Sequence, residues 1–177
     1  MNVQTRSVVM GILSGNPQDE PLHYGEVFTV WSNVLGNNGM ISAYQAFYHH
    51  AGDEDLKKLI KEGIDGLQTE NQQLQEILKA NGVAPPPAQA DRPVANLEDI
   101  PVGARFIDPE IGAALSKDAA AGLVACSQAM GQSIREDIAM MYGQFHTSKA
   151  QFAAKALKLS KEKGWLIPPP LHPNKGE

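Results

Sequence analysis

Between Asp53 and Asn81 the apolar residues Leu56, Ile60, Ile64, Leu67, Leu74 and Leu78 recur at spacings of three, four and seven. That spacing marks one face of a single long helix. From Ile134 onward Ile138, Met141, Phe145, Phe152, Ala156 and Leu159 keep the same rhythm. Ile111, Leu115, Ala119, Gly122, Cys126 and Met130 form another stripe, whose small residues should let a neighbouring helix approach closely. The last two stripes nearly merge, but one helix from Pro109 to Lys163 would be ~82 Å long, too long for a compact domain of this size. Gly131 followed by the capping box Ser133-Ile134-Arg135-Glu136 supplies the break, whereas Gly143 has no such cap.

A fourth stripe runs through a stretch rich in poor helix formers, VLGNNGMISAYQAFYHH. Gly36-Asn37-Asn38-Gly39 costs on the order of 3 kcal/mol relative to alanine. Yet Val27, Val30, Trp31 and Val34 before it share one phase with Ile41, Tyr44 and Tyr48 after it. A turn would have no reason to preserve that phase. Burial of Trp31, Tyr44 and Phe47, at roughly 2 kcal/mol each, outweighs the propensity cost. One unbroken helix is therefore expected, with an asparagine facing its neighbours near the middle.

The remaining punctuation completes the plan. Gly52 before Asp53-Glu54-Asp55 reads as a helix end and an acidic restart, and Asn81-Gly82 as a stop. Asp108-Pro109-Glu110 reads as an N-cap, a first-position proline and a first-turn acid. Lys163-Gly164 ends the last helix, and Pro168 to Pro170 prevent its resumption. Four helices follow, at about residues 21–50, 53–81, 109–132 and 134–163. Short links make each sequential pair an antiparallel hairpin. The segment Val83 to Asp108 holds Pro85, Pro86, Pro87, Pro93 and Pro101, and extended it could run the ~42 Å length of a helix. Leu97, Ile100, Val102 and Phe106 give it apolar surface to bury. The expected fold is all-α: a ferritin-like, up-down-down-up four-helix bundle with a long Pro-rich crossover between helices two and three. The bundle would occupy residues 19–166, between a flexible N-terminal tail, 1–18, and a Pro-rich C-terminal tail, 167–177.

Composition narrows the class. At 177 residues the chain fits one domain with a real core, and 42% hydrophobic with 20% charged residues is typical of a globular protein. A net charge of −5 argues against nucleic acid as partner, and the basic run Lys155 to Lys163 reads as the solvated last turns of a helix. The single cysteine, Cys126, permits no internal disulfide and fits a reducing compartment. No apolar run approaches the ~20 residues of a membrane span. Val8 to Leu13, too short for an export signal, leaves a cytoplasmic protein as the expectation.

Ferritin-like bundles often hold two metals through a glutamate on each of two helices and Glu-x-x-His on the other two. The only Glu-x-x-His here is Glu20-Pro21-Leu22-His23, at the start of the first helix, and His23-x-x-Glu26 overlaps it. A degenerate metal site would draw on His23, Glu26, Glu62 and His146, with Asp118 at a similar level to His146. Because Glu62, Asp65 and Glu70 fall outside the apolar stripe or at its edge, no metal site and no cofactor are expected. His49 and His50 close a helix, where an imidazole favours terminal carbonyls. Cys126 reads as a small core residue, without a basic partner to activate it. Ser127 and Ser133 have no histidine at recognisable spacing, and no Gly-rich phosphate loop follows a strand. The Met140-Met141-Tyr142 cluster reads as core.

Four stretches carry a family likeness: Glu26 to Trp31 (EVFTVW), Ala51 to Ile60 (AGDEDLKKLI), Ser133 to Ile138 (SIREDI) and Lys163 to Pro169 (KGWLIPP). From about Leu22 to Pro170 the chain resembles the ferritin-like, spore-coat-related proteins of Bacillus-type bacteria, a family of unknown function. The resemblance implies a four-helix bundle associated with sporulation, with no catalytic residues to carry over. Arg135 and Asp137 match family positions and read as a helix-start ion pair, while GNNG departs from the family's more regular first helix. The leading functional expectation is a non-enzymatic structural protein that assembles with itself, a dimer being the default, or with other coat components. The rival is a ferritin-like metal-binding oxidoreductase or metal-storage protein using the degenerate site, and a small-ligand carrier is a third possibility.

Overall fold

The helices begin and end where nearby groups, some local in sequence and some brought in by the fold, satisfy free backbone amides and carbonyls. The computed structural model describes residues 20–172, so the N-terminal tail, the apolar run Val8 to Leu13 and residues 173–177 lie outside the described residues. It contains α1 (Tyr24–His50), α2 (Glu54–Ala80), α3 (Asp108–Gln132) and α4 (Glu136–Glu162). Single 3-10 turns, Leu97–Asp99 and Val102–Ala104, lie between α2 and α3, and no strand occurs among the described residues.

The Asp53 carboxylate accepts the Asp55 and Leu56 amides to cap α2. Gly82 and Gly164 adopt positive φ, +72° and +71°. After each, the next residue's amide reaches back five positions, Val83 to Leu78 O and Trp165 to Ser160 O, closing α2 and α4 in the Schellman manner.

Two sequence-based caps are corrected. Ser133 does not cap α4: its hydroxyl donates to the Ala129 carbonyl of the preceding turn. The free amides of Ile134 and Arg135 go to Glu26 of α1 instead, at 2.9 and 3.0 Å. Asp108 does not cap its own helix either; its carboxylate accepts the Gly52 amide at 2.8 Å. In both cases a partner from another element was nearer than the local one.

α1 runs through GNNG without interruption, and both Asn37 and Asn38 are buried. It packs along α2, and α3 packs along α4. The hairpins meet with α1 beside α3 and α2 beside α4. His23 at the start of α1 bonds Gln132 O at the end of α3, and Gly52 after α1 bonds Asp108 at the start of α3. α1 and α3 are therefore antiparallel, and α2 and α3 run the same way.

The connection from α2 to α3 lies along α1 in ascending order. Trp31 Nε1 donates to Ala84 O, Asn38 Nδ2 to Pro87 O, and Gln45 Nε2 to Asp91. Arg92 Nε donates to Ser42 O, and the Phe106 amide to His50 Nδ1. Polar bonds, more than burial, hold it. Val102 and Phe106, expected to be covered, are exposed, although Phe106 sets an edge against Phe47 at 5.3 Å between ring centroids. Other positions read as core are also exposed: Ile134, Met140 and Tyr48 face solvent.

The core divides in two. One apolar cluster surrounds Val34, Leu74, Cys126 and Tyr142; the other surrounds Tyr44, Leu67, Ile111 and Leu115. A polar layer separates them.

Candidate functional site

The separating layer takes one or two residues from each helix. Asn37 and Asn38 lie on α1 between Val34 and Tyr44, and Glu70 and Asn71 on α2 between Leu67 and Leu74. Lys149 lies on α4 between Phe145 and Ala156, and Gly122 on α3 between Ala119 and Cys126. Lys149 Nζ stands 2.7 Å from both Glu70 oxygens, with the two side chains 15% and 11% exposed. Asn37 Nδ2 donates to Glu70 at 3.4 Å. Asn71 Nδ2 donates to Asn38 Oδ1 at 2.8 Å, which leaves the buried Asn71 Oδ1 without a partner.

Lys149 reaches this point because Gly122 has no side chain: a Cβ there would stand 2.7 Å from the lysine Cδ. The small-residue stripe of α3 thus makes room for a half-buried ammonium.

Two adjoining cavities, about 380 and 190 Å³, open on either side and share Met40, Glu70, Asp118, Gly122 and Lys149. Tyr44 faces Asp118 across the larger one. Burial pushes the Asp118 carboxyl above its usual range, against the opposing pull of the Tyr44 hydrogen bond and the Lys117 charge. Tyr44 is also raised, by burial first and then by the Asp118 charge and hydrogen bond. Cys126, on the smaller cavity, is pushed up to about 11 by burial, so its thiol stays protonated.

This donor set does not fit a dimetal centre. Such a centre needs several carboxylates and histidines converging on shared cations, whereas here Glu70 is already neutralised by an ammonium that would repel a divalent ion. Among the described residues no three His, Cys, Asp or Glu side chains gather in a metal-holding group.

The candidates His23, Glu26, Glu62 and His146 are distributed otherwise. His23 caps α1, its Nδ1 accepting the Gly25 and Glu26 amides while Nε2 donates to Gln132 O. Glu26 closes the reciprocal half of that cap by accepting the His23 amide, and also holds the start of α4. Glu62 pairs with Lys155 on the surface, and His146 joins no acid–histidine group. Only His23 and Glu26 meet, and their contact is a helix cap.

His50, expected to favour helix carbonyls, instead accepts the Phe106 amide, while His49 sets its ring against Tyr48. Ser127 donates to Leu123 O one turn back, leaving a conventional helical hydroxyl.

The four stretches that carry the family likeness pair off in space. Glu26, from EVFTVW, caps Ile134-Arg135 of SIREDI, where Arg135 also grips Asp137 through two hydrogen bonds of 3.0 and 2.6 Å. Arg135 lowers the Asp137 carboxyl, and Asp137 raises Arg135 in return. At the other end of the bundle Asp53, from AGDEDLKKLI, binds Lys163 of KGWLIPP at 2.7 Å and is lowered by it. Trp165 of the same stretch covers Gly112, where a Cβ would be 3.4 Å from the indole. Both pairings fasten one hairpin to the other.

Sequence reasoning missed Lys149 and Asn71 and placed Glu70 outside its helix's apolar stripe or at the edge of that stripe. The signal was present as a gap. Three apolar stripes take a step of seven at one level, Val34 to Ile41, Leu67 to Leu74 and Phe145 to Phe152, while the α3 stripe holds only Gly122 there, and the layer fills that level.

Comparison with known proteins agrees with this architecture. Residues 10–177 match the model of DUF3231, a protein family of unknown function. The uncharacterized protein YvdQ of Bacillus subtilis is 63% identical over 163 residues, 92% of this chain and 96% of that protein. The crystal structure of a "putative spore coat protein" from Bacillus halodurans is 64% identical with a TM-score of 0.88. That match covers 90% of this chain and all of the other. A conserved hypothetical protein from Mycobacterium tuberculosis superimposes with a TM-score of 0.64 over 83% of this chain and 96% of its own, at 13% identity, and so shares the fold alone. With a match spanning both hairpins and the segment between them, this chain belongs to the DUF3231 family.

Proposed function

We propose that the protein is a non-enzymatic structural and interaction component of the sporulating cell, built as a ferritin-like bundle whose metal level has been converted to packing. One observation carries this reading: buried Glu70, paired with the half-buried Lys149, sits at mid-bundle, where ferritin-like proteins place metal-binding carboxylates. An ammonium there supplies the positive charge that a carboxylate in the core requires and does no redox chemistry. In this reading residues 19–166 form one bundle of up-down-down-up order, the proline-bearing segment along α1 is its crossover, and 167–177 form an arm. The residues shared with the family fasten the hairpins together, which supports a scaffold. The spore setting rests on the coat-related relative from Bacillus halodurans. No helix is long and apolar enough to cross a membrane among the described residues.

Quantitative proteomics of purified spores and of sporulating and vegetative cells tests the setting. Enrichment in spores is expected; absence from both spores and sporulating cells would overturn it. Elemental analysis of protein purified without chelator tests the conversion, and about two iron or manganese ions per chain would contradict it.

A further inference from the structure

One stripe of α1 holds extended, proline-bearing backbone of the chain itself over part of its length. Tyr24, Phe28, Trp31, Leu35 and Asn38 follow one another at steps of four, three, four and three, one stripe of the helix. At the C-terminal half of the stripe the chain binds its own Ala84-Pro85-Pro86-Pro87. The Trp31 indole donates to Ala84 O at 3.2 Å, the Asn38 amide donates to Pro87 O at 3.2 Å, and Pro86 is buried. Aromatic rings with N–H donors to proline-flanked carbonyls are the usual means of holding polyproline segments, which lack their own donors and are already extended. Among the described residues the N-terminal half is uncovered: Tyr24 is 95% exposed and Phe28 71%.

The chain has a second triple proline, Ile167-Pro168-Pro169-Pro170-Leu171, which leaves the bundle with Ile167 92% and Leu171 81% exposed. It cannot reach Tyr24 of its own chain. The arm departs from Trp165, beside Gly112 and the Asp53–Lys163 bridge, near the C-terminal end of α1. Tyr24 lies at the other end of α1, ~39 Å away along the helix. From Trp165 the prolines extend at most ~16 Å.

We propose that the Tyr24–Phe28 surface binds the Ile167–Leu171 arm of a second copy of this chain, extending the contact Trp31 and Asn38 already make with the internal triple proline. The inference rests on the reading of the protein as an interaction component and names its partner. Because the arm and the receiving surface lie at opposite ends, two antiparallel copies can exchange arms in a closed pair, and a head-to-tail arrangement of the same contact extends into rings or filaments.

Sedimentation velocity over a range of concentrations tests it with three proteins: the full chain, a chain ending at Ile167, and Phe28→Asp. The full chain is expected to grow in mass with concentration. Each variant should weaken association by about tenfold or more. Mixed together, the two variants should form one-to-one pairs and nothing larger, since the truncated chain keeps the receiving surface and Phe28→Asp keeps the arm. Circular dichroism checks that each variant is folded. A synthetic peptide of residues 165–172 should bind the truncated chain and fail to bind the same chain carrying Phe28→Asp, a readout that does not need self-association. A full chain that stays monomeric with a peptide that does not bind, or association that survives both changes, overturns the proposal. Spore proteomics is indifferent to this outcome, so the two readings fail separately.

Discussion

Lys149 and Glu70 show how a single buried pair can define a core without adding much to its stability. Desolvation offsets most of the attraction, so the pair is worth little net, yet either partner alone is costly. Lys149→Met should therefore destabilise the protein by about 3 kcal/mol in urea unfolding, whereas Lys149→Met with Glu70→Leu should return to within about 1 kcal/mol of the parent. Equal losses in the single and double variants would show that packing, not charge, holds this level together. Cys126 offers a second check on the same layer. With its thiol pushed up to about 11 by burial, it should not react with Ellman's reagent in the native protein at about pH 8, and should react at once on unfolding. Neither Lys149 nor Asn71 was legible one residue at a time: a lysine in a helix is ordinarily solvated, and only three simultaneous gaps facing a glycine on the fourth helix point inward.

At the scale of the helix, GNNG is tolerated because its two asparagines are used in tertiary contacts and its two glycines are not. A Cβ at Gly36 or Gly39 would meet nothing within 4 Å. Gly36→Ala and Gly39→Ala should thus each stabilise by about 0.5–1 kcal/mol, measured as an upward shift of the urea midpoint at constant slope. Gly122→Ala should do the opposite, because its Cβ would displace Lys149. Helix spans were legible within a few residues, since phase survives poor propensity. Caps were not. Ser133 and Asp108 carry the right side chains in the right places, yet their bonds go to Ala129 and Gly52, and Glu26 of another helix takes the amides that Ser133 was expected to satisfy. A cap read from sequence counts only local partners, and tertiary competition reverses it.

Across the whole molecule, the two hairpins are fastened at both ends by charged groups, which makes the assembly sensitive to acid. At one end Asp137, on the same helix start, orients the Arg135 guanidinium that reaches Glu20 O of the other hairpin, and Arg135 holds Asp137 below the usual carboxylate range. A lowered folded-state value means that the unfolded chain binds the proton more readily, so the contribution is complete above about pH 4 and is lost as pH falls through the lowered value. Asp137→Asn should accordingly cost about 1 kcal/mol at neutral pH, and the difference from the parent should vanish in strong acid when both are unfolded by urea across that range. A gap that persists in acid would assign Asp137 a packing role instead. The connection along α1 follows the same logic at larger scale. Its apolar residues predicted burial, but Val102 and Phe106 are exposed and the segment is positioned by Trp31, Asn38, Ser42, Gln45 and His50.

From the order of residues alone came four helices, their lengths, the pairing of each hairpin and the continuity of α1 through its weakest stretch. All of these depend on periodicity and on neighbours close in the chain. Tertiary structure alone decided which carboxylate would end a helix, which lysine would be buried, and that half of the α1 stripe would be covered by the chain's own prolines while Tyr24 and Phe28 stay open. Those outcomes depend on distances between groups far apart in sequence, where the nearest partner in space, not along the chain, takes the bond.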